Sequence, residues 1–400
     1  MDQKRLFAAI ALSIGILLIF DFWQRPQREA QLQAQRQQQQ AQQVQPAQPA
    51  VPAPTGGAPT PSAAGAVPGT TAGPVPPEAA PRSAAQRLRV ETPRLSGSLN
   101  LRGARLDDLV LTDYRETTAP NSAHVRLLAP RESGSGYFAQ WGWTAADGRT
   151  RVPDAETDWT ATGGPLAPDR PVTLSWDNGQ GLVFEIVLLV DRNYMFTAEQ
   201  RVRNTGTDPA VVLPWARIRR ERTPEVLGFF ILHEGFTGVV GERLQEVTYS
   251  DARSTAQQRR GPAFEQEGTG GWIGITDKYW LASVMPASPT QAVRFAYRHI
   301  SEGAGAAGDR WQADIAAPQP VPVAPGATVS FPSRVFAGAK EVLLLDAYRD
   351  QLNIRDFDKA IDFGWFYFLT KPFFYALHWL AEAFAWSYAP YGLAILVFTL

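Results

Sequence analysis

"LVFEIVLLVDRNYMFTAEQRVRNTG", residues 182–206, decides the class of fold. Its first nine residues, Leu182 to Val190, are apolar on both faces, the pattern of a strand buried inside a stack of two sheets. The second run alternates. Tyr194, Phe196, Ala198 and Val202 face one way and Thr197, Glu199, Arg201 and Arg203 the other, and Thr205-Gly206 closes it with a turn.

Working outward, the same texture extends from Arg87 to about Phe336. "RLSGSLNLRGARLDDLVLTDY" (94–114) gives two runs around a turn at Gly103, and "GWIGITD", "YWLASVMP", "AVRFAYRHI" and "TVSFPSRVFAG" each fit a strand. Some 250 residues of this pattern, with no long helix, predict a mainly β chain with a large antiparallel β-sandwich over residues 87–337. "SDARSTAQQRRG" (250–261) reads as a polar, mobile loop. The basic run "RIRRER" (217–222) reads as a solvated strand edge, with an acidic partner or lipid headgroups as the sharper alternative.

The sandwich is flanked by different chemistry. "LFAAIALSIGILLIFDFW" begins at Leu6, close to the ~20 apolar residues a spanning helix needs. Lys4 and Arg5 before it favour a cytoplasmic N-terminus, and Trp23 suits the opposite interface, so residues 1–23 are predicted to be an anchor. The rival reading is a cleaved signal peptide, which bulky Phe20, Phe22 and Trp23 oppose. Residues 24–86, rich in Gln, Ala and Pro, cannot bury enough surface to order, and read as a disordered tether reaching roughly 45 Å.

After the sandwich, residues 338–356 hold a short amphipathic helix in which Leu345, Tyr348 and Leu352 recur at helical spacing, so these three would connect the sandwich to the C-terminal segments. Asp356, Asp358 and Asp362 read as solvated. In "FGWFYFLTKPFFYALHWL" (363–380), Thr370 would cap a helix and Pro372 would fall in its first turn. Phe373, Phe374, Leu377, Leu380, Ala381 and Phe384 then share one face, with Tyr375, His378, Trp379 and Glu382 on the other. Lys371-Pro372 is costly in mid-bilayer, so the segment 357–387 is expected to lie in a membrane interface. Trp365, Phe366 and Phe368 join Trp23, Phe373, Phe374, Leu377, Leu380 and Phe384 as the interface residues. A core helix of a soluble domain is the alternative. "YGLAILVFTL" (391–400) reads as the start of a spanning helix, within 388–400, in a chain cut inside that helix; a core strand is the alternative.

The totals exclude several functions. Lys and Arg number 38 against 39 Asp and Glu, a net charge of -1, so no global basic field argues for nucleic acid. There is no cysteine, which removes disulfides and thiolate chemistry. His124, His233, His299 and His378 are far apart, and His233-Glu234 has no second histidine four residues on, so no metal is expected. "GTGGWIG" has the wrong glycine offsets for a dinucleotide loop, and neither a phosphate-binding loop nor a G-x-S-x-G elbow occurs. No cofactor and no catalytic residue is expected.

The order of these parts resembles the YidC family of bacterial inner-membrane insertases over essentially the whole chain. The matching residues are "MDQKR" with the apolar run behind it, Asp362, Gly364, Trp365, Phe368, Pro372 and Phe373, and "GWIGITDKYWLASVMP" (271–286). The resemblance implies a periplasmic β-supersandwich of the kind shared with sugar mutarotases, a periplasmic-side amphipathic helix, and a first core transmembrane helix beginning in 388–400. It also implies a multi-pass inner-membrane protein with residues 24–387 periplasmic. The implied activity is helping nascent inner-membrane proteins insert, fold and assemble, alone or with the Sec translocon and the SecD/SecF complex. The family's groove and its single basic residue would lie past Leu400. The competing reading is a tethered sandwich that binds sugar or epimerises aldoses; His233 and Glu234, adjacent on a strand, would point to opposite faces.

Overall fold

Alternating side chains in run after run make sheets rather than helices, and each sheet needs a second to cover its apolar face. The computed structural model describes residues 86–119, 121–224, 233–301, 308–362, 367–384, 386 and 390–399. The predicted anchor with Trp23, the tether, and Trp365 and Phe366 lie outside them. In chain order the strands begin β1 Arg87–Glu91, β2 Leu95–Asn100, β3 Arg105–Arg115, β4 His124–Leu128, β5 Tyr137–Ala145, β6 Thr160–Thr162 and β7 Val172–Asp177. Next come β8 Leu182–Val190, β9 Met195–Asn204, β10 Ala210–Glu221, β11 Gly235–Val240, β12 Arg243–Thr248 and β13 Phe264–Thr269. The last are β14 Trp272–Thr276, β15 Trp280–Pro286, β16 Ala292–Ser301, β17 Asp309–Ala316, β18 Val321–Val323 and β19 Thr328–Ala339. Four helices are described: α1 Tyr249–Arg259, α2 Val342–Gln351, α3 Tyr367–Ala383 and α4 Pro390–Thr399.

The strands form two antiparallel sheets. The first runs β1-β2-β3-β5-β10-β17-β16-β13, with β18 added to β10 and β4 to β3; the second runs β12-β11-β14-β15-β19-β9-β8-β7-β6. The register of β8 on β9 sets Phe184 opposite Val202 and Ile186 opposite Gln200. Polar groups tie the sheets across the core. Tyr137 Oη of β5 donates to the Ile275 carbonyl of β14 at 3.2 Å, and Trp141 Nε1 donates to Ser333 Oγ of β19 at 3.2 Å. Trp141, Trp272, Trp311, Phe184, Phe295 and Phe336 fill the space between. This is the mainly β, two-sheet architecture read from the alternating runs.

Three local readings are corrected. Leu182–Val190 is not apolar-buried on both faces: Leu182, Phe184, Ile186, Leu188 and Val190 are buried, while Leu189 is 45% exposed. A two-layer sandwich leaves the outer face of each sheet open to solvent, whatever its hydrophobicity. "RIRRER" is not an edge, because β10 pairs with β5 on one side and β17 on the other. Arg217 and Arg220 are tolerated inside the sheet because both find polar neighbours: Arg217 Nη2 donates to Gln140 Oε1 at 2.6 Å, and Arg220 Nη1 to Asp277 Oδ1 at 2.6 Å. "SDARSTAQQRRG" contains most of α1, not a loop. The Thr248 hydroxyl accepts from Asp251 N as an N-cap, and Tyr249, Ala252 and Ala256 are buried.

One glycine shows how closely Tyr194 lies over its neighbouring strand. A Cβ on Gly338 of β19 would stand 2.2 Å from the Tyr194 ring, so only hydrogen fits there.

Candidate membrane-facing site

The junction between the sandwich and the C-terminal helices is built from α2 outward. Leu345 and Tyr348 are buried, and Leu352 packs against the same core. A 3-10 turn, Phe357–Ala360, comes next, and Phe357 is fully buried with its ring centroid 5.3 Å from those of Trp272 and Phe336. Each such side chain contributes about 1.5–3 kcal/mol by leaving water. Tyr348 Oη donates to Asp191 Oδ2, and burial followed by the Asp191 carboxylate pushes its pKa well up. Glu341, at the start of α2, accepts from Arg94 Nη1 at 3.2 Å, from Tyr114 Oη at 2.7 Å and from Tyr194 Oη at 3.3 Å. Burial, with the Glu341 hydrogen bond behind it, raises the Tyr114 pKa to about 12. The helix is therefore fixed to both sheets: Arg94 and Tyr114 flank or belong to the first, and Tyr194 leads into the second.

The outer side of α2 carries charge, and this is what receives α3. Asp346 accepts from Arg349 Nη1 at 2.8 Å and from Lys371 Nζ at 3.4 Å, and it also accepts from Tyr375 Oη. Asp358, in the turn, accepts from Lys371 Nζ at 2.6 Å, with Arg349 Nη1 at 3.5 Å. Burial would raise the Asp358 pKa, but the Lys371 ammonium and then Arg349 outweigh it and hold the carboxyl below its usual value. Lys371 and Tyr375 are one turn apart, so both reach the same carboxylate. Sequence reading missed this clamp. It took Lys371 only as an obstacle to spanning and Asp358 as solvated, whereas the two neutralise each other. Asp362 is likewise engaged, its Oδ2 accepting from His233 N at 3.3 Å.

Helix α3 begins at Tyr367, so Thr370 lies inside it rather than capping it, and Pro372 is an interior residue. Pro372 forfeits the bond to the Phe368 carbonyl at a cost of about 3 kcal/mol. At 100° per residue, Lys371, Tyr375, His378 and Glu382 form one stripe and Phe373, Leu377, Leu380 and Phe384 the opposite one. Phe374 and Ala381 fall on a flank. Phe373 is 44% exposed and Phe374 37%; Leu377, Leu380 and Phe384 are half-buried. Only the backbone of Phe368 is described. Helix α4 packs along α3, with His378 Nδ1 2.8 Å from Tyr391 Oη and Ala394 buried. Trp379 at 68% and Trp386 at 81% extend the exposed apolar surface, with Ile395 and Val397 on α4. No described helix is long and apolar enough to cross a membrane. The structure thus places five of the nine residues expected at the interface, Phe368, Phe373, Phe374, Leu377 and Leu380, on α3.

Enzyme-like groups are arranged otherwise. His299 Nε2 lies 2.8 Å from Asp309 Oδ1, but both side chains are only 5% exposed. Asp309 is also held by Thr223 Oγ1 and Arg253, and the His299 ring lies against Trp311. The contacts on Asp309 and the ring packing on Trp311 are those of a structural pair. His233 Nε2 contacts the Phe236 carbonyl at 2.7 Å. Among the described residues no three His, Asp or Glu side chains gather to hold a metal ion.

Residues 87–376 match the family model described as the YidC periplasmic domain. The match takes in the sandwich, α2, the turn and the first half of α3, including the clamp. Curated relatives named membrane protein insertase YidC include one from Granulibacter bethesdensis, 44% identical over 405 residues, covering all of this chain and 65% of the relative. Another, from Acidiphilium cryptum, is 45% identical, covering 79% of this chain and 53% of the relative, and one from Rhizobium meliloti is 40% identical over 100% and 64%. The chain thus spans less than two thirds of the length of these relatives. Among solved structures, a galactose mutarotase related enzyme from Lactobacillus acidophilus aligns with a TM-score of 0.42 at 8% identity, covering 63% of this chain and 97% of that one.

Proposed function

The chain belongs to the YidC periplasmic-domain family, and on that premise we propose that it is the periplasmic and membrane-boundary part of an inner-membrane protein insertase. The protein helps nascent inner-membrane proteins insert, fold and assemble, alone or beside the Sec translocon and the SecD/SecF complex. Residues 1–23 anchor it with a cytoplasmic N-terminus and 24–86 tether the sandwich of 87–337 in the periplasm. Residues 338–356 and 357–387 join it to the membrane, and 388–400 enter the first core transmembrane helix. The step is not covalent catalysis. A hydrophilic groove in a thinned bilayer lowers the cost of moving a polar segment, and burial of the substrate's apolar helix in lipid drives the transfer.

The observation that carries this reading is the two-sided helix α3. Lys371 and Tyr375 of its polar stripe are clamped by Asp346 and Asp358, while Phe373 and Phe374 remain exposed and Leu377 and Leu380 half-buried. Exposed aromatic side chains beside a fixed domain suit the headgroup boundary, where amphipathic rings collect. The sugar-epimerase reading is not favoured, since the curated relatives at 40–45% identity are named membrane protein insertases.

The test is rescue of an insertase-depleted bacterium by the full-length protein with Phe373, Leu377, Leu380 and Phe384 replaced by serine. Loss of substrate insertion at unchanged protein level supports the reading. Full insertion by that variant, or by residues 1–400 alone, contradicts it.

A further inference from the structure

A second site lies on the first sheet, where the start of β3, the end of β10 and the turn Arg131–Ser133 meet. They enclose a cavity of about 510 Å³ whose lining includes Arg102, Arg105, Arg131, Glu132 and Glu221, with Ala155 as its one apolar residue. Arg131 Nε sits 2.7 Å from Glu221 Oε1, and Arg102 Nη2 sits 2.5 Å from Glu156 Oε2. Arg105 is matched differently. Its side chain is only 7% exposed, yet its nearest carboxylates are Asp107 at 3.5 Å and Glu132 at 3.8 Å. Arg87 binds Asp107 Oδ1 and leaves the buried Oδ2 to Arg105 at 3.5 Å, too long for a good hydrogen bond, and Glu132 is 72% exposed. The Arg105 Nε is buried and makes no hydrogen bond among the described residues, and its guanidinium lies 5.7 Å from the Phe138 ring centroid.

From this geometry we propose that the cavity binds a small oxyanion, a carboxylate or phosphate group, on Arg105. A buried guanidinium whose Nε makes no hydrogen bond is costly, and its planar donors fit two oxygens of one anionic group. Glu132, solvated and 3.8 Å away, occupies that role loosely and swings out when a ligand enters. A polar lining of this kind excludes an apolar ligand. A soluble anion and a lipid phosphate share the chemistry required.

Calorimetric titration of the full chain in zwitterionic micelles with inorganic phosphate, and separately with acetate, tests this. Arg105→Gln is expected to weaken binding at least tenfold, about the effect of losing one charge-assisted contact. Glu132→Gln, at an exposed position that leaves folding intact, is expected to strengthen it by about threefold or more by removing the competing carboxylate. No binding of either anion to the unaltered chain overturns the proposal, as does unchanged or weaker binding by Glu132→Gln. Vesicles containing phosphatidylglycerol that compete with phosphate identify a lipid source; vesicles that do not compete identify a soluble one.

Discussion

Replacing Lys371 by methionine keeps the aliphatic stem and removes the ammonium that joins α3 to the sandwich. The Lys371–Asp358 contact is 2.6 Å long and its two side chains are 20% and 19% exposed, so solvent screens it only in part. A charge-assisted hydrogen bond of this kind contributes about 1.5–3 kcal/mol. Arg349, 3.5 Å from Asp358 and 2.8 Å from Asp346, recovers some of that, and the methionine side chain, no longer held in one geometry, keeps rotamer entropy that the paired lysine gives up. The net expectation is about 1–2 kcal/mol, or opening of α3 from the domain roughly 5–30 times more often. Hydrogen exchange of the α3 amides in the full chain reads this opening directly. A cycle with Lys371→Met, Asp358→Asn and the pair isolates the interaction. Because the folded Asp358 pKa is lowered, its contribution is complete above the unfolded value of about 3.9 and is lost as pH falls through the folded one. The coupling should therefore be flat from neutral pH to about 5 and vanish in stronger acid. A coupling below about 0.3 kcal/mol at pH 7, or unchanged α3 exchange in Lys371→Met, refutes the clamp.

Other substitutions probe the parts around it. Phe357→Ala removes a fully buried ring set against Trp272 and Phe336, and should cost about 3–5 kcal/mol in denaturant unfolding. Gly338→Ala, whose new Cβ meets the Tyr194 ring, should destabilise by about 1–3 kcal/mol, whereas Gly148→Ala, with open space but φ of +64°, should lose only about 1 kcal/mol. Lys340 is lowered to about 8 by burial, so the folded state binds fewer protons than the unfolded one between that pH and the ordinary lysine value near 10.4. Stability therefore rises with pH across that window by up to about 3 kcal/mol from this group. Lys340→Met should abolish that rise relative to the unaltered chain and be neutral or stabilising at pH 7, as seen by chemical denaturation at each pH.

Periodicity is the part of the fold that was legible in the sequence. Tyr194 to Val202 alternates cleanly because one face meets the other sheet, and Leu345, Tyr348 and Leu352 recur because one side of α2 enters the core. Burial from a single neighbouring layer leaves this signature. Partnerships between distant residues leave none. Arg217 to Arg222 looked like an edge because charge in a central strand needs Gln140 and Asp277 from elsewhere, and nothing local announces them. Helix α1 was hidden because it buries only one tyrosine and two alanines, too little for an apolar period. That Phe373, Leu377 and Leu380 share one side of α3 was readable from spacing, but the clamp on its other side joins residues 346, 358 and 371. The α3 start was misplaced because a proline and a preceding threonine mimic a helix beginning.

The central claim is that the apolar stripe of α3 faces lipid while its polar stripe faces the sandwich. The chain has no cysteine, so single cysteines at 373, 375, 377, 378, 380, 382 and 384 carry one spin label each. In bilayers, the full chain should show oxygen collision maxima at 373, 377, 380 and 384 and minima at 375, 378 and 382, with a period of about 3.6 residues. Uniform accessibility along the helix, or oxygen maxima at 375, 378 and 382, contradicts it.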